Sequence, residues 1–200
     1  MTVAVRGGKI TCVGSCASEL QAASAAGAKV VHLQNGYLTK SFVAFGSLIG
    51  LNAIDAERDT DNGASTEHFS RVVDGLRLAT KKLHYAHKYG VTRAISAPKY
   101  TGQQTHFGTS AGFKTGAVHS LEKGAIFAPD AAVHYTLDGA SKAGSGGTIS
   151  AALGSLRHKL LEAVKEAGNE TQGDAFSEAA YLRRVVRGET ALALTVHSAD

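Results

Sequence analysis

The apolar, β-prone run Ala191-Leu192-Ala193-Leu194-Thr195-Val196 leads straight to His197, with Asp200 three residues further on. In α/β proteins, the C-terminal end of a strand is where metal ligands and catalytic groups collect. An imidazole and a carboxylate are also costly to bury without partners. A frayed terminal histidine is the plain alternative, but the strand ahead of it is too apolar for a free tail. His197 is therefore the first candidate metal contact of this chain.

Other groupings have the composition for chemistry. Gly108-Thr109-Ser110-Ala111-Gly112 fits the Gly-x-Ser-x-Gly pattern of a nucleophile elbow, which would make Ser110 the nucleophile of a serine hydrolase. That motif needs a strand running into the serine and a helix leaving it, and neither flank of this stretch reads that way. His84 and His87 sit close enough on one predicted helix to meet. A structural zinc site usually takes four ligands, and a half-exposed helical face accounts for both. His106, His119 and His134 fall in or near a region of small residues, where satisfied loop histidines are the default. A calcium loop counted from Glu57 puts its glycine one place late, and His68 stands where a bidentate glutamate belongs. A solvated acidic loop describes that stretch better. Ser141-Lys-Ala-Gly-Ser-Gly-Gly-Thr148 is a linker or loop without the ending of a phosphate loop. Cys12 and Cys16 match neither a Cys-x-x-Cys redox pair nor a zinc knuckle, so thiols in a reducing compartment are expected.

The elements that must position these residues follow from pattern. Residues 3–6 and 9–13 read as strands of a hairpin across Gly7-Gly8. Residues 18–26 are alanine-rich and suit two helical turns, stopped by Gly27. Residues 29–33 alternate toward the tight-turn dipeptide Asn35-Gly36, and 37–45 return as an extended run. A helix is predicted over 72–89, with Val72, Leu76, Leu83 and Ala86 inward and Gly90 as its stop. Residues 91–97 read as a buried strand ended by Pro98, and 133–137 as a short strand beyond a glycine-rich stretch. Leu153, Leu156, Leu160, Leu161 and Val164 share a helical face behind Ser150 as N-cap. Leu182, Val185 and Val186 repeat that pattern after Phe176. The strand–helix–strand order closing on residues 191–196 predicts an α/β fold with parallel pairing.

Bulk properties narrow the function classes. The 200 residues are 44% apolar and 19% charged, the composition of a globular chain. Twenty-one basic against 17 acidic residues leave a net charge of +4. Lys81, Lys82, Arg183, Arg184 and Arg187 are placed late in predicted helices, where the dipole and solvent favour cations. No RNA-binding signature accompanies them, so no nucleic acid partner is expected. No stretch approaches the roughly 20 apolar residues that span a bilayer, and the N-terminus lacks a signal-peptide core. No membrane partner is expected, and the composition points to the cytoplasm.

Several stretches, in order, look like one family. Gly8-Lys9-Ile10-Thr11-Cys12-Val13-Gly14 is similar to a strand of its β-sandwich, and Gly36-Tyr37-Leu38-Thr39-Lys40-Ser41-Phe42-Val43 to the return from sandwich to barrel. Gly90-Val91-Thr92-Arg93, Ala128-Pro129-Asp130-Ala131-Ala132-Val133-His134 and His197-Ser198-Ala199-Asp200 look like later segments. Together they resemble the amidohydrolase superfamily, in particular its imidazolonepropionase-like and carbohydrate esterase family 9-like fungal members. The resemblance implies an α/β chain in two parts. Residues 1–45 would be a β-rich segment of a composite sandwich, and 46–200 an incomplete (β/α) barrel.

The resemblance also implies hydrolysis of an amide, cyclic amide or N-acetyl group on a small-molecule substrate. One or two divalent metals, zinc among them, would sit in the barrel mouth. Members carry Asp-x-His-x-His where the first strand ends. At the matching place this chain reads Ala44-Phe45-Gly46-Ser47-Leu48, with Gly46 and Leu48 at the two histidine positions. His197 matches the histidine that resembles a fifth-strand ligand. The family's later histidine and final-strand aspartate are expected beyond Asp200, and a complete barrel takes about 250 residues. The expectation is a truncated amidohydrolase-like chain, catalytically incomplete alone, with no catalytic residue assigned and a metal contact at His197 or no metal at all. Two alternatives stand beside it. One is a non-enzymatic half-barrel whose strand edges and apolar faces pair with a second copy or a complementary chain. The other is the serine hydrolase at Ser110.

Overall fold

Gly7 and Gly8 both take positive φ, 58° and 75°, which lets β1 (Thr2–Arg6) and β2 (Lys9–Gly14) pair antiparallel across a tight turn. The helix α1 (Ala17–Ala25) follows and gives way to Gly27 in the left-handed region. The computed structural model describes residues 1–57, 59, 61–63, 69–100, 105–138, 147–168 and 174–196, with His106 described by its backbone alone. The chain divides into two compact units, Met1–Lys40 and Ser41–Asp200.

Two expectations for the first unit are corrected. Cys12 and Cys16 are joined as a disulfide, with Cα atoms 5.9 Å apart, rather than being free thiols. Positive φ at Gly14 (127°) and Cys16 (44°) turns the chain back and brings the two close. Residues 29–33 form no strand, and Val30, Val31 and Leu33 are exposed. Alternation makes a strand only where a neighbouring ladder receives it. The extended run at 37–45 likewise yields only β3 (Phe42–Ser47), which pairs in the second unit.

That unit is built on one five-stranded sheet in the order β3, β4 (Val91–Ser96), β5 (His106–Lys114), β6 (Ile126–Leu137), β7 (Ala191–Val196). The outer pairs β3–β4 and β6–β7 are parallel, as the strand–helix–strand order predicts. The centre departs from that expectation, because β5 runs antiparallel to both β4 and β6. The stretch read as a glycine-rich loop is this strand. A short connection joins β5 to β6, and only antiparallel neighbours can be joined so briefly.

Small residues in β5 permit close approach. At Gly108, with φ +103°, an added Cβ would lie 1.9 Å from the Ser70 carbonyl oxygen. Gly108→Ala is expected to lower the unfolding free energy by about 2 kcal/mol, read from chemical denaturation. An unchanged midpoint would show that the Ser70 backbone gives way freely.

The helices also refine the pattern. Instead of one helix over 72–89 there are two, α2 (Val72–Gly75) and α3 (Lys81–Lys88). Leu76 leaves the helical region at ψ 128°, and the Arg77 N–H donates to the Gly50 carbonyl at 2.8 Å. Thr80 then caps α3 by accepting from the Leu83 N–H, so Lys81 and Lys82 open that helix instead of closing one. The helix α4 (Ile149–Glu166) is capped by Thr148, not Ser150. Its buried stripe is Ala152, Leu156 and Ala163 with Leu160 beside it, while Leu153, Leu161 and Val164 face solvent. The helix α5 (Glu178–Val186), capped by Ser177, buries Ala180, Tyr181 and Leu182. Both helices share one core with Val133, Tyr135 and Leu137 of β6.

Polar ties lock this layer. Asp130 of β6 accepts from Arg71 Nε (3.2 Å) and Nη2 (3.3 Å), Thr109 Oγ1 (3.1 Å) and Tyr181 Oη (2.9 Å). Glu178 accepts from Tyr135 Oη and from Lys159 Nζ (2.8 Å), joining β6, α4 and α5. Among the described residues, no helix is long and apolar enough to cross a membrane.

Candidate functional site

Side chains alternate across β6, so Val133, Tyr135 and Leu137 face the helices while His134 and Thr136 point to the other face. Asp138 follows directly at the strand's C-terminal end and is buried. Phe107 of β5 sets its ring 5.3 Å from the His134 imidazole, and Tyr100 lies 5.6 Å from Phe107. An imidazole and a phenol thus flank one phenyl ring, and the Thr136 hydroxyl and Asp138 carboxylate follow His134 along the chain.

Among the described buried side chains, Tyr100 Oη, His134 Nε2 and Thr136 Oγ1 have no hydrogen-bond partner. Native interiors rarely leave such atoms unsatisfied, because each costs roughly 1–3 kcal/mol. Burial lowers the His134 pKa from 6.5 to about 4, so the ring is neutral at physiological pH. Burial, and then the charge of Asp138, push the Tyr100 phenol above its ordinary value. A neutral imidazole with a free ring nitrogen can accept or donate one hydrogen bond according to tautomer, or ligate a metal. The arrangement suits recognition of a small polar group held against Phe107.

His134 lies in a strand, as the reading of 133–137 expects, but its side chain is not the satisfied histidine taken as the default, since Nε2 is buried without a partner. The signal for it lies in the sequence. Val133-His134-Tyr135-Thr136-Leu137-Asp138 alternates bulky and polar residues with a period of two.

Ser110, Gly46, Leu48, His84, His87 and His119 belong to other surroundings. Ser110 sits inside β5, fully buried, and its Oγ donates to the Ala132 carbonyl at 3.4 Å. A mid-strand serine packed on both sides is no nucleophile elbow, so the serine-hydrolase alternative is withdrawn. Ser110→Ala is expected to change stability by less than about 1.5 kcal/mol. A fluorophosphonate probe is expected to leave the wild-type serine unlabelled, and labelling at Ser110 would reinstate that alternative.

Gly46 lies in β3 with no side chain to offer, and Leu48 packs with Leu51, Val72 and Ala111. His87 of α3 directs Nδ1 to Thr115 Oγ1 at 3.3 Å, and His84 stays against its neighbour Tyr85. His119 lies in the β5–β6 connection. In the acidic stretch from Glu57 to His68, residues 58, 60 and 64–68 lie outside the described residues. Asp61 there accepts from the Gly63 N–H and pairs with Lys99 at 3.0 Å. His197 and Asp200 lie outside the described residues, as does most of the stretch 141–148.

A divalent metal is implied only by resemblance. Among the described residues, no three His, Cys, Asp or Glu side chains converge as a ligand set. The described residues therefore do not fit a metal centre on their own, and no chemical step is derived through one.

No protein-family model matches the chain. It is 50% identical, over 212 aligned positions, to a curated protein named amidohydrolase tasK from Hapsidospora irregularis. The match takes in 100% of this chain and 22% of that protein, so the chain spans about a fifth of that relative's length. In structure it is similar to an amidohydrolase from Thermotoga maritima MSB8, with a TM-score of 0.76 at 20% identity. That likeness covers 99% of this chain and 54% of the bacterial one, and at such identity it speaks to the fold. The resemblance read from the sequence segments thus holds along the whole chain, and the five-stranded sheet fits part of a barrel.

Proposed function

We propose that these 200 residues form part of a metal-dependent amidohydrolase acting on amide, cyclic amide or N-acetyl groups of a small molecule. The observation that carries this reading is the 50% identity, over the entire chain, to a protein named an amidohydrolase. The His134 face supplies the local chemistry. A neutral imidazole and two unsatisfied hydroxyls match the donors and acceptors of an amide, and the Phe107 ring lies against the imidazole. Such groups orient the substrate, and His134 is a positioning residue in this reading.

Metal dependence enters the proposal through His197 alone. The further ligands would come from polypeptide outside these residues, so the chain is proposed to be catalytically incomplete by itself. A composite sandwich for residues 1–45 and a cytoplasmic setting belong to the same proposal.

The test is hydrolysis of a panel of N-acetyl sugars, N-acyl amino acids and cyclic amides, with and without added zinc, alongside metal analysis of the purified chain. The expected result is no turnover by the chain alone and metal retention that falls with His197→Ala. Stoichiometric metal that survives His197→Ala would remove that residue from the proposal. Metal-stimulated turnover by the 200 residues would overturn the incompleteness.

A second reading, an oligomerising or partner-binding half-barrel, is favoured by the sheet's open edges. The edge strand β3 exposes Phe42 and Phe45 at 65% and 68%, and the opposite edge β7 exposes Leu194 and Val196. Apolar edge strands are templates for pairing. The fitting partner is a complementary set of barrel strands, since the bacterial structure continues beyond the matched half. Size-exclusion chromatography with light scattering decides this: a clean, stable monomer argues against it.

A further inference from the structure

We propose that the sheet carries, at the end opposite Asp138, a binding site for a small phosphate-bearing polyanion. A cavity of about 400 Å³ opens there, lined chiefly by His87, Arg93, Lys114, Gly116, Glu122 and Lys123. It lies where β4 begins and the antiparallel β5 ends, so it shares no residue with the His134 face.

The first argument is register. Arg93 and Lys114 are direct cross-strand partners in the β4–β5 ladder. Like charges placed opposite each other destabilise a sheet, and neither residue has an ion pair among the described residues. Lys123 brings a third cation to the same cavity, also without an ion pair among the described residues. Three cations line one space against the single carboxylate of Glu122, an excess of positive charge that suits an anion accepting several charge-assisted hydrogen bonds at once.

The second argument is that the remaining polar groups are already committed. Glu122, the one acid in the lining, accepts at Oε1 from the backbone N–H groups of Val118 (2.8 Å) and His119 (3.3 Å). Those contacts lead the influences that hold its carboxyl below the ordinary value, so it stays charged as a brace for the loop. The Thr115 hydroxyl donates to the Val91 carbonyl at 2.6 Å and so accepts from His87 Nδ1. That fixes the ring as part of the cavity wall. Gly116 is what admits the imidazole, since an added Cβ would come within 2.7 Å of its Cε1 atom. Arg93 is steadied over the Phe127 ring at 5.6 Å, which lowers the entropy lost when its guanidinium engages a phosphate. The cavity exceeds what a lone inorganic ion fills, so the phosphate is carried on a molecule of metabolite size.

Isothermal titration of the 200-residue chain with inorganic pyrophosphate, at low ionic strength, tests the site. Saturable one-to-one binding is expected, weakened by added salt and weakened roughly tenfold by Arg93→Gln or Lys114→Gln. Lys165→Gln, in α4, is expected to leave it unchanged. Lys123→Gln gives the same reading from an exposed loop position should either strand variant lose its fold by circular dichroism. Absence of saturable binding, or equal weakening by Lys165→Gln, would overturn the site. Citrate binding as tightly as pyrophosphate would overturn the phosphate assignment.

Discussion

Asp130→Ala is expected to lower the unfolding free energy by about 2–3 kcal/mol, the cost of leaving a partly buried guanidinium and two hydroxyls without their shared acceptor. The carboxylate and the Arg71 guanidinium are 15% and 17% exposed, so solvent does little to replace what is lost. Asp130 accepts two hydrogen bonds from Arg71, one from Thr109 and one from Tyr181, and Arg184 approaches to 3.7 Å. Burial works against the Arg71 charge, and the hydrogen bond and charge of Asp130 outweigh it, so the guanidinium's pKa lies above its ordinary value. Without the carboxylate, Arg71 keeps, among the described residues, the exposed Asp74 at 3.3 Å and the Phe176 ring at 4.4 Å. The loss is also structural, because these partners stand on the N-cap of α2, on β5 and on α5. Asp130→Asn retains acceptors for the two hydroxyls and should fall between wild type and alanine. Urea unfolding followed by far-ultraviolet circular dichroism measures all three, and a loss below about 1 kcal/mol would show the cluster to be solvated.

The second large effect is a pH dependence traced to His134. Its pKa is about 4 in the folded chain against 6.5 for the free side chain, because burial penalises the imidazolium. Below pH 6.5 the unfolded chain binds a proton there that the native state refuses. Stability therefore falls with pH from 6.5 to about 4, and it is level above and below that window. The shift of about 2.5 units corresponds to about 3 kcal/mol across the window. Carboxylates titrate in the lower part of the same range, so the measurement is a difference. The curve of stability against pH for wild type should be steeper than that of His134→Leu by close to one proton between pH 5 and 6. Parallel curves would mean that the imidazole is charged or solvated in the native state. The same variant bears on function: placed in a longer protein that turns over an amide substrate, it is expected to raise KM more than it lowers kcat, as suits a residue that only positions.

How much of this was legible in the residues themselves differs by element. The hairpin at Gly7-Gly8, the strand β4 with its Gly90 stop, and the closing pair of α5 and β7 follow local rules. Turn glycines, capping serines and apolar runs act over a few residues, so a short window contains their cause. β5 escaped because its small and polar residues carry little strand preference alone. They are strand-forming only because β4 and β6 flank them on both sides. The break between α2 and α3 escaped for a related reason: the Arg77 N–H is taken by Gly50, some twenty-seven residues earlier, instead of by its own helix. On α4, leucine count pointed to one face, whereas the core shared with Tyr135 and Tyr181 takes in Ala152, Leu156 and Ala163 and leaves Leu161 and Val164 in solvent.

The candidate site divides in the same way. Residue types alone determined that Gly46 and Leu48 cannot ligate a metal, that His197 follows an apolar strand, and that the segments resemble amidohydrolases. Only the tertiary structure decided that Ser110 is sealed inside a sheet, that the Cys12 and Cys16 sulfurs meet, and that Arg93 stands across from Lys114. It also decided that His134 loses its solvent while finding no partner among the described residues. The physical reason is range. Dihedral preference and side-chain chemistry are properties of a residue and its neighbours, but desolvation and charge apposition exist only once distant strands lie side by side.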